Sequence, residues 1–212
     1  MPKFSQPLAI SPSSRRPRRI VTVSGRGVRG TFPTRKSERP AQFESLNEAM
    51  ALLILEVAAS VKSIATQPQV FEYLHDECRR RYTPDVKVET DTGPAFLEIK
   101  DDKALATHSQ AIIRLKAAMQ HLRQHGHRFC IVLRSDLIAD DLPNRLQLLL
   151  SVRPARGRYR PSLNTALWDP EYGTSPSNEI SEKWENAKRE CDDLLRRVMK
   201  RDPDDLLPAL VR

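Results

Sequence analysis

Cysteine is scarce in this 212-residue chain. Cys78, Cys130 and Cys191 are odd in number and far apart, which predicts reduced thiols in a cytosolic protein and not a disulfide framework. There is no CxxC pair. A zinc site is therefore conceivable only around His75 and Cys78, or around His121, His125 and His127, and the better reading of those histidines is surface or helix-end positions. No glycine-rich loop opens a helix after a strand, and neither GKS nor GKT occurs, so no nucleotide site is indicated. The apolar stretch Ala51 to Leu55 stops at Glu56, far short of a bilayer-spanning run. The opening MPKFSQPLAISPSSRRPRR has no apolar segment ahead of a cleavage site, so neither a secretory leader nor a membrane role is expected. Acidic residues are nearly missing from the first forty positions, which carry ten Lys/Arg against Glu38 alone, a charge of +9. The other 172 residues sum to −1. The excess charge thus belongs to an arm, and such arms commonly bind polyanions, nucleic acid first among them.

The arm, residues 1–40, begins rich in Pro, Ser and Arg and is expected to be partly disordered, with one short strand at 20–23. Its Ser-Gly-Arg-Gly-Val-Arg-Gly stretch (24–30) supplies glycines for close approach to a groove or phosphate. Arg26, Arg29, Arg35, Lys36 and Arg39 are its candidate DNA contacts. A core follows at 41–150. Apolar spacing predicts a helix over 44–64, ended by Gln67-Pro68, then a strand at 69–74 and a polar turn at 75–81. A strand at 82–90, a turn at 91–94 and a strand at 95–100 make a hairpin. A helix at 103–124 with Gly126 as its cap, a buried strand at 128–133 parallel to the one before it, and a helix at 142–150 complete the core. The order is α-β-β-β-α-β-α, an α/β fold with a mixed sheet flanked by helices. Residues 151–212 add a loop with a basic patch, Arg153, Arg156, Arg158 and Arg160. Then comes an amphipathic helix at 178–200, whose apolar stripe needs the core or a partner to dock on. Trp184 on that stripe reads as a packing anchor.

The chemistry is concentrated in Pro84-Asp85, twelve residues, then Glu98-Ile99-Lys100. Residues two apart on a strand share a face, so Glu98 and Lys100 point together while Leu97 and Ile99 enter the core. The hairpin can bring Asp85 beside Glu98. Two carboxylates and a backbone carbonyl, that of Ile99, are hard oxygen donors suited to Mg²⁺, with Mn²⁺ as a substitute. Lys100 is positioned to orient water and offset charge on a phosphate, with its pKa expected to be lowered beside a dication. Glu48, in an otherwise apolar helical run, needs compensation if buried and is a third metal-ligand candidate. Glu44, one turn earlier, and Gln67 are outer candidates.

Several stretches together resemble the TnsA family, the endonuclease subunits of heteromeric bacterial transposases. These are SGRGVRGTFPTRK (24–36), FESLNE (43–48), Gln67-Pro68, Tyr82-Thr-Pro-Asp85 and Leu-Glu-Ile-Lys (97–100). The resemblance implies a restriction-endonuclease-like αβββαβ core of the PD-(D/E)xK type. It implies that Glu48, Asp85 and Lys100 match the family's catalytic residues, and that Glu98 fills a position some members give to Gln. It further implies double-stranded DNA at transposon ends as substrate, cut on the 5′, non-transferred strand in cut-and-paste transposition. The implied partners are a DDE-type transposase, TnsB, and an AAA+ regulator, TnsC, with a cytoplasmic, nucleoid-associated location. Longer relatives carry a second C-terminal domain, where this chain has only residues 151–212. The competing readings are a stand-alone restriction or repair nuclease and a non-catalytic DNA-binding assembly factor.

Overall fold

The computed structural model describes residues 28–105, 110–152 and 178–207. The strand expected at 20–23, Arg26 and the Arg153–Arg160 patch lie outside them.

Ser45 opens the first helix, α1 (Leu46–Val57). Its hydroxyl accepts the Glu48 amide at 3.1 Å, and the Glu48 carboxylate accepts from the Ser45 hydroxyl at 2.9 Å and the Glu44 amide at 2.8 Å. This reciprocal cap satisfies amides that the first turn leaves without helical partners. Glu48 therefore sits in the first turn, half-buried and hydrogen-bonded, and not in mid-helix as the apolar run suggested.

The helix stops at Val57, well before the expected Ile64, and residues Val61–Thr66 form a strand instead. Numbering by chain order, a short hairpin β1 (Gly30–Phe32) and β2 (Ala41–Phe43) precedes α1, and that strand is β3. A second hairpin follows, β4 (Phe71–His75) with β5 (Cys78–Tyr82), then β6 (Val86–Thr90) and β7 (Gly93–Lys100). Helices α2 (Asp102–Leu105) and α3 (Gln110–Gln124) lead to β8 (Phe129–Leu133). The main sheet has the order β3-β6-β7-β8, antiparallel except for the parallel β7–β8 pair. The parallel pair bears out the expected βαβ unit. The strand expected at 69–74 pairs only with β5, a segment expected to be a turn, and the sheet's first strand is β3. With the β4–β5 hairpin set aside, the order is α-β-β-β-α-β.

Each face of this sheet has its own apolar core. On one, Val86, Val88, Leu97, Ile99 and Val132 pack against α1 and two later helices, α5 (Leu142–Ser151) and α6 (Asn178–Lys200). A one-turn helix, α4 (Arg134–Leu137), joins β8 to this layer. On the other face, Phe96, Phe129 and Ile131 meet Phe71 of β4 and Ile112, Leu115, Met119 and Leu122 of α3. Gly126, at φ +77°, stops α3 as expected. The stripe of α6, including Trp184, Cys191, Leu194 and Val198, is buried in the first core. Trp184 is thus a packing anchor, and of the two docking places expected for the stripe, the core or a partner, it occupies the core.

The last third of the expected arm also belongs to the folded body. Lys36 is fully buried, its Nζ donating to the carbonyls of Leu55, at 2.8 Å, and Ala58. These are end carbonyls of α1, where a cation is favoured. Thr34 Oγ1 and the Arg35 amide donate to the buried carboxylate of Glu56 at 2.6 and 3.0 Å. Lys36 is therefore withdrawn from DNA, and Arg35 is 8% exposed. Gly30 serves a ring and not a phosphate: a Cβ there would stand 2.5 Å from the tip of Phe43.

Burial lowers the Lys36 pKa from 10.5 to about 8, although Glu56 acts to raise it. Between those values the unfolded chain holds the proton more tightly, so this residue's contribution to stability grows as pH rises from about 8 to 10.5. The neutral amine keeps two N–H groups for its two carbonyls. Lys36→Met leaves both acceptors buried and unmet, at roughly 1–3 kcal/mol each. Denaturant melts should show Lys36→Met less stable by roughly 2–4 kcal/mol at pH 7, the gap to wild type widening above pH 8. A gap that does not change with pH would show that Lys36 does not titrate in the folded state.

Candidate functional site

Strand pairing builds the site. The β6–β7 register runs from Thr90 opposite Gly93 to Val86 opposite Leu97. Continued one residue, it sets Asp85 opposite Glu98. Buried Val86 and Val88 face the first core, so by alternation Asp85 falls on the face of Glu98 and Lys100. Asp85 Oδ2 accepts the Ile99 amide at 2.8 Å, which locks the end of β6 to β7. The Gln67 amide donates to the Asp85 carbonyl at 2.9 Å, tying the end of β3 to the same point, with Gln67 at φ 44°.

Glu98 is 5% exposed, and both its oxygens are engaged. One pairs with Lys100 Nζ at 2.5 Å, and the other accepts the Tyr82 hydroxyl. Burial first, then Glu98 and Glu48, push the Asp85 carboxyl well above its ordinary range, against Lys100 and the Ile99 amide. Tyr82 is likewise raised by burial and by its bond to Glu98. Burial acts to lower the Lys100 pKa, but Glu98, Asp85 and Glu48 together hold it above 10.5. The sequence reading expected the reverse beside a dication; among the chain's own charges the carboxylates win.

The structure thus gathers Asp85, Glu98 and Lys100, with Glu48 near enough to act on both Asp85 and Lys100. Ile99 points its side chain into the core and leaves its backbone on the site strand. Glu44 lies 3.8 Å from Arg29, so the two candidates engage each other. Arg39 is exposed. Among the described residues, no three of His, Cys, Asp and Glu are disposed to hold a metal ion. The donor set is therefore a pair of carboxylates, Asp85 and Glu98, with the Ile99 backbone next along the strand from Glu98. That chemistry fits Mg²⁺, which is commonly held by one or two carboxylates and keeps several waters.

Sequence reading missed two things here. Tyr82, read as the start of a strand and as part of the Tyr82–Asp85 stretch but given no role at the site, holds Glu98. The Arg79-Arg80-Arg81 run, read as part of a turn, forms β5 and lines a cleft of about 720 Å³ with Tyr73, Glu98, Lys100, Arg114 and Leu115. Three consecutive arginines beside a tyrosine were the available signal.

Residues 58–134 match the family model described as TnsA-like endonuclease N terminal. The span runs from the end of α1 to the start of α4. It contains Asp85, Glu98 and Lys100, and begins ten residues after Glu48. No curated protein matches the chain, and no helix among the described residues is long and apolar enough to cross a membrane.

Proposed function

We propose, from the premise that a chain carrying a TnsA-like endonuclease N-terminal domain belongs to the TnsA family, that this protein is the DNA-cutting subunit of a heteromeric transposase. Its reaction is hydrolysis of a phosphodiester bond at transposon ends, on the 5′, non-transferred strand. The carrying observation is the Asp85–Glu98–Lys100 cluster within the matched span. The α1-β3-β6-β7-α3-β8 order also suits a restriction-endonuclease-like core, and the proposal includes that assignment.

Asp85, Glu98 and the Ile99 carbonyl would hold Mg²⁺, or Mn²⁺ in its place, with Glu48 as the next carboxylate. Bound there, the ion supplies Lewis acidity to the scissile phosphate and a lowered pKa to a coordinated water. Lys100 stays cationic among its acidic neighbours. It orients the attacking water and offsets charge building on the phosphate oxygens. Tyr82 fixes the second oxygen of Glu98 and so limits how that carboxylate turns. A DDE transposase of the TnsB kind and an AAA+ regulator of the TnsC kind are the partners this reading implies.

Labelled transposon-end DNA, incubated with and without the partner transposase, tests the reading. Cutting should require Mg²⁺ or Mn²⁺ and fall at the 5′ ends. Full-rate cutting of unrelated duplex without the partner would favour a stand-alone nuclease. In the same assay Lys100→Ala should lower kcat by roughly 10² or more with KM little changed. A change in KM alone would make Lys100 a phosphate clamp with no part in the chemical step.

A further inference from the structure

The cleft beside Glu98 and Lys100 carries more positive charge than the cluster uses. Five cations line it (Arg79, Arg80, Arg81, Arg114 and Lys100) against the two anions Glu72 and Glu98. Arg81 is paired with Glu72 at 3.1 Å and Lys100 with Glu98 at 2.5 Å. Both anions are thereby engaged, leaving Arg79, Arg80 and Arg114, and among the described residues no carboxylate pairs with any of these three.

Two of the three are set at the cleft by a common anchor. Arg80 stands opposite Tyr73 in the β4–β5 register, and Tyr73 is buried beneath α3, its hydroxyl donating to the Arg114 carbonyl at 3.1 Å. Both guanidinium groups act electrostatically on that hydroxyl. The Arg80 Nε is buried with no hydrogen-bond partner, a state that costs free energy unless a ligand completes it. Burying a donor on an uncompensated cation, next to a second one, suits a ligand with two or more anionic oxygens. A guanidinium fork matches phosphate in geometry as well as charge. The cleft's volume is that of a small-ligand site, which admits one strand's backbone and not a whole duplex.

We infer that the β4–β5 hairpin and α3 form a clamp in which Arg80 and Arg114 grip backbone phosphate of the DNA strand running past Glu98 and Lys100. The inference rests on the nuclease reading for its ligand and adds a strand-holding subsite to it. It also assigns a role to the hairpin, which stands outside the main sheet. Arg79, exposed where it lines the cleft, contributes field and not the grip.

The test uses the full chain with chelator present, so that binding is read apart from cutting. Affinity for a labelled duplex and for the matching single strand is measured across a salt series. Arg80→Ala/Arg114→Ala should bind at least tenfold more weakly, with a log–log salt slope shallower by about 1.8, two phosphates at about 0.9 each. Lys62→Ala, an exposed lysine of β3 paired with Asp91, is the control and should change affinity less than threefold. If the double variant fails to fold, Arg114→Glu, on the exposed surface of α3, carries the test with the same expected loss. Wild-type affinity and slope in the folded variants, or an equal loss in Lys62→Ala, would overturn the clamp. Cleavage by Asp85→Asn is measured alongside. Its persistence would sink the nuclease reading without touching the binding result, and its loss would leave that reading standing even if the clamp failed.

Discussion

Asp85→Asn should cut DNA slower by roughly 10²–10³ or more, the scale of removing one preorganised electrostatic group, and should melt at the same temperature or higher. The two halves have one cause. Asp85 Oδ2 accepts the Ile99 amide, and an asparagine oxygen can do the same, so the β6–β7 junction survives. The charge that disappears is one that burial, Glu98 and Glu48 all oppose. Its removal relieves the fold while depriving a cation of a hard oxygen ligand. Paired cleavage and thermal-melt measurements check both. Cutting at the wild-type rate would remove Asp85 from the mechanism, and a large loss of melting temperature would show that its carboxylate is chiefly structural.

Deleting residues 178–212 should unfold the domain. The apolar stripe of α6 is part of the core that covers one face of the main sheet. Trp184 alone is 2% exposed, and truncating such a residue to alanine costs about 3–5 kcal/mol. Single domains have only about 5–15 kcal/mol in total. Removing Trp184, Leu194, Leu195 and Val198 together would also lay the buried side of α1 open to water. Specific ties go with them, including Arg201 to Asp136 at 2.6 Å and Asp192 to the Ser60 amide at 2.9 Å. Urea melts of Trp184→Ala and of the truncated chain are the measurement. A truncated chain with a cooperative transition near that of the full chain would show that α6 is an appendage after all.

The parts of the fold legible in the sequence were those where local pattern and tertiary environment agree. The β6–β7 hairpin announced itself through Val86 and Val88, a turn at Asp91-Thr92-Gly93, and alternation around Glu98. The βαβ unit and α6 were equally plain. Strand β3 was hidden because Val61 and Ile64 continue the helical spacing of Leu53 and Val57, and Ala58-Ala59-Ser60 holds no glycine or proline to mark the break. The Ala58 amide still closes the last turn onto Ile54, but its ψ of 122° sends the chain out of the helix. Strand β5 was hidden for the opposite reason. Its residues have no hydrophobic alternation: all four from Arg79 to Tyr82 line a cleft, Arg80 and Tyr82 half-buried and Arg79 and Arg81 exposed. Lys36 could not be told from its basic neighbours, because what buries it are two carbonyls some twenty positions away. The carboxylates and the lysine of the candidate site were readable from strand period alone. Tyr82 and the arginines of the cleft were not, since their place depends on a hairpin folding back over α3.

Surface turns are ordinarily where a lineage gains or loses residues without harm. Two turns of this chain should differ sharply in that respect. The Asp76–Glu77 turn of the outlying hairpin, with both residues at positive φ, sits at a free tip beyond the His75–Cys78 pair, and its length can drift. The Asp91–Thr92 turn cannot, because the ladder is counted from it: Thr90 with Gly93 at one end, Val86 with Leu97 at the other. Dropping one residue there would bring an apolar side chain opposite Asp85. Side chains alternate along a strand, so the shift would exchange the core face for the site face. The twelve residues between Asp85 and Glu98 thus work as a ruler, and descendants of this chain should keep that spacing even where the residues within it have changed.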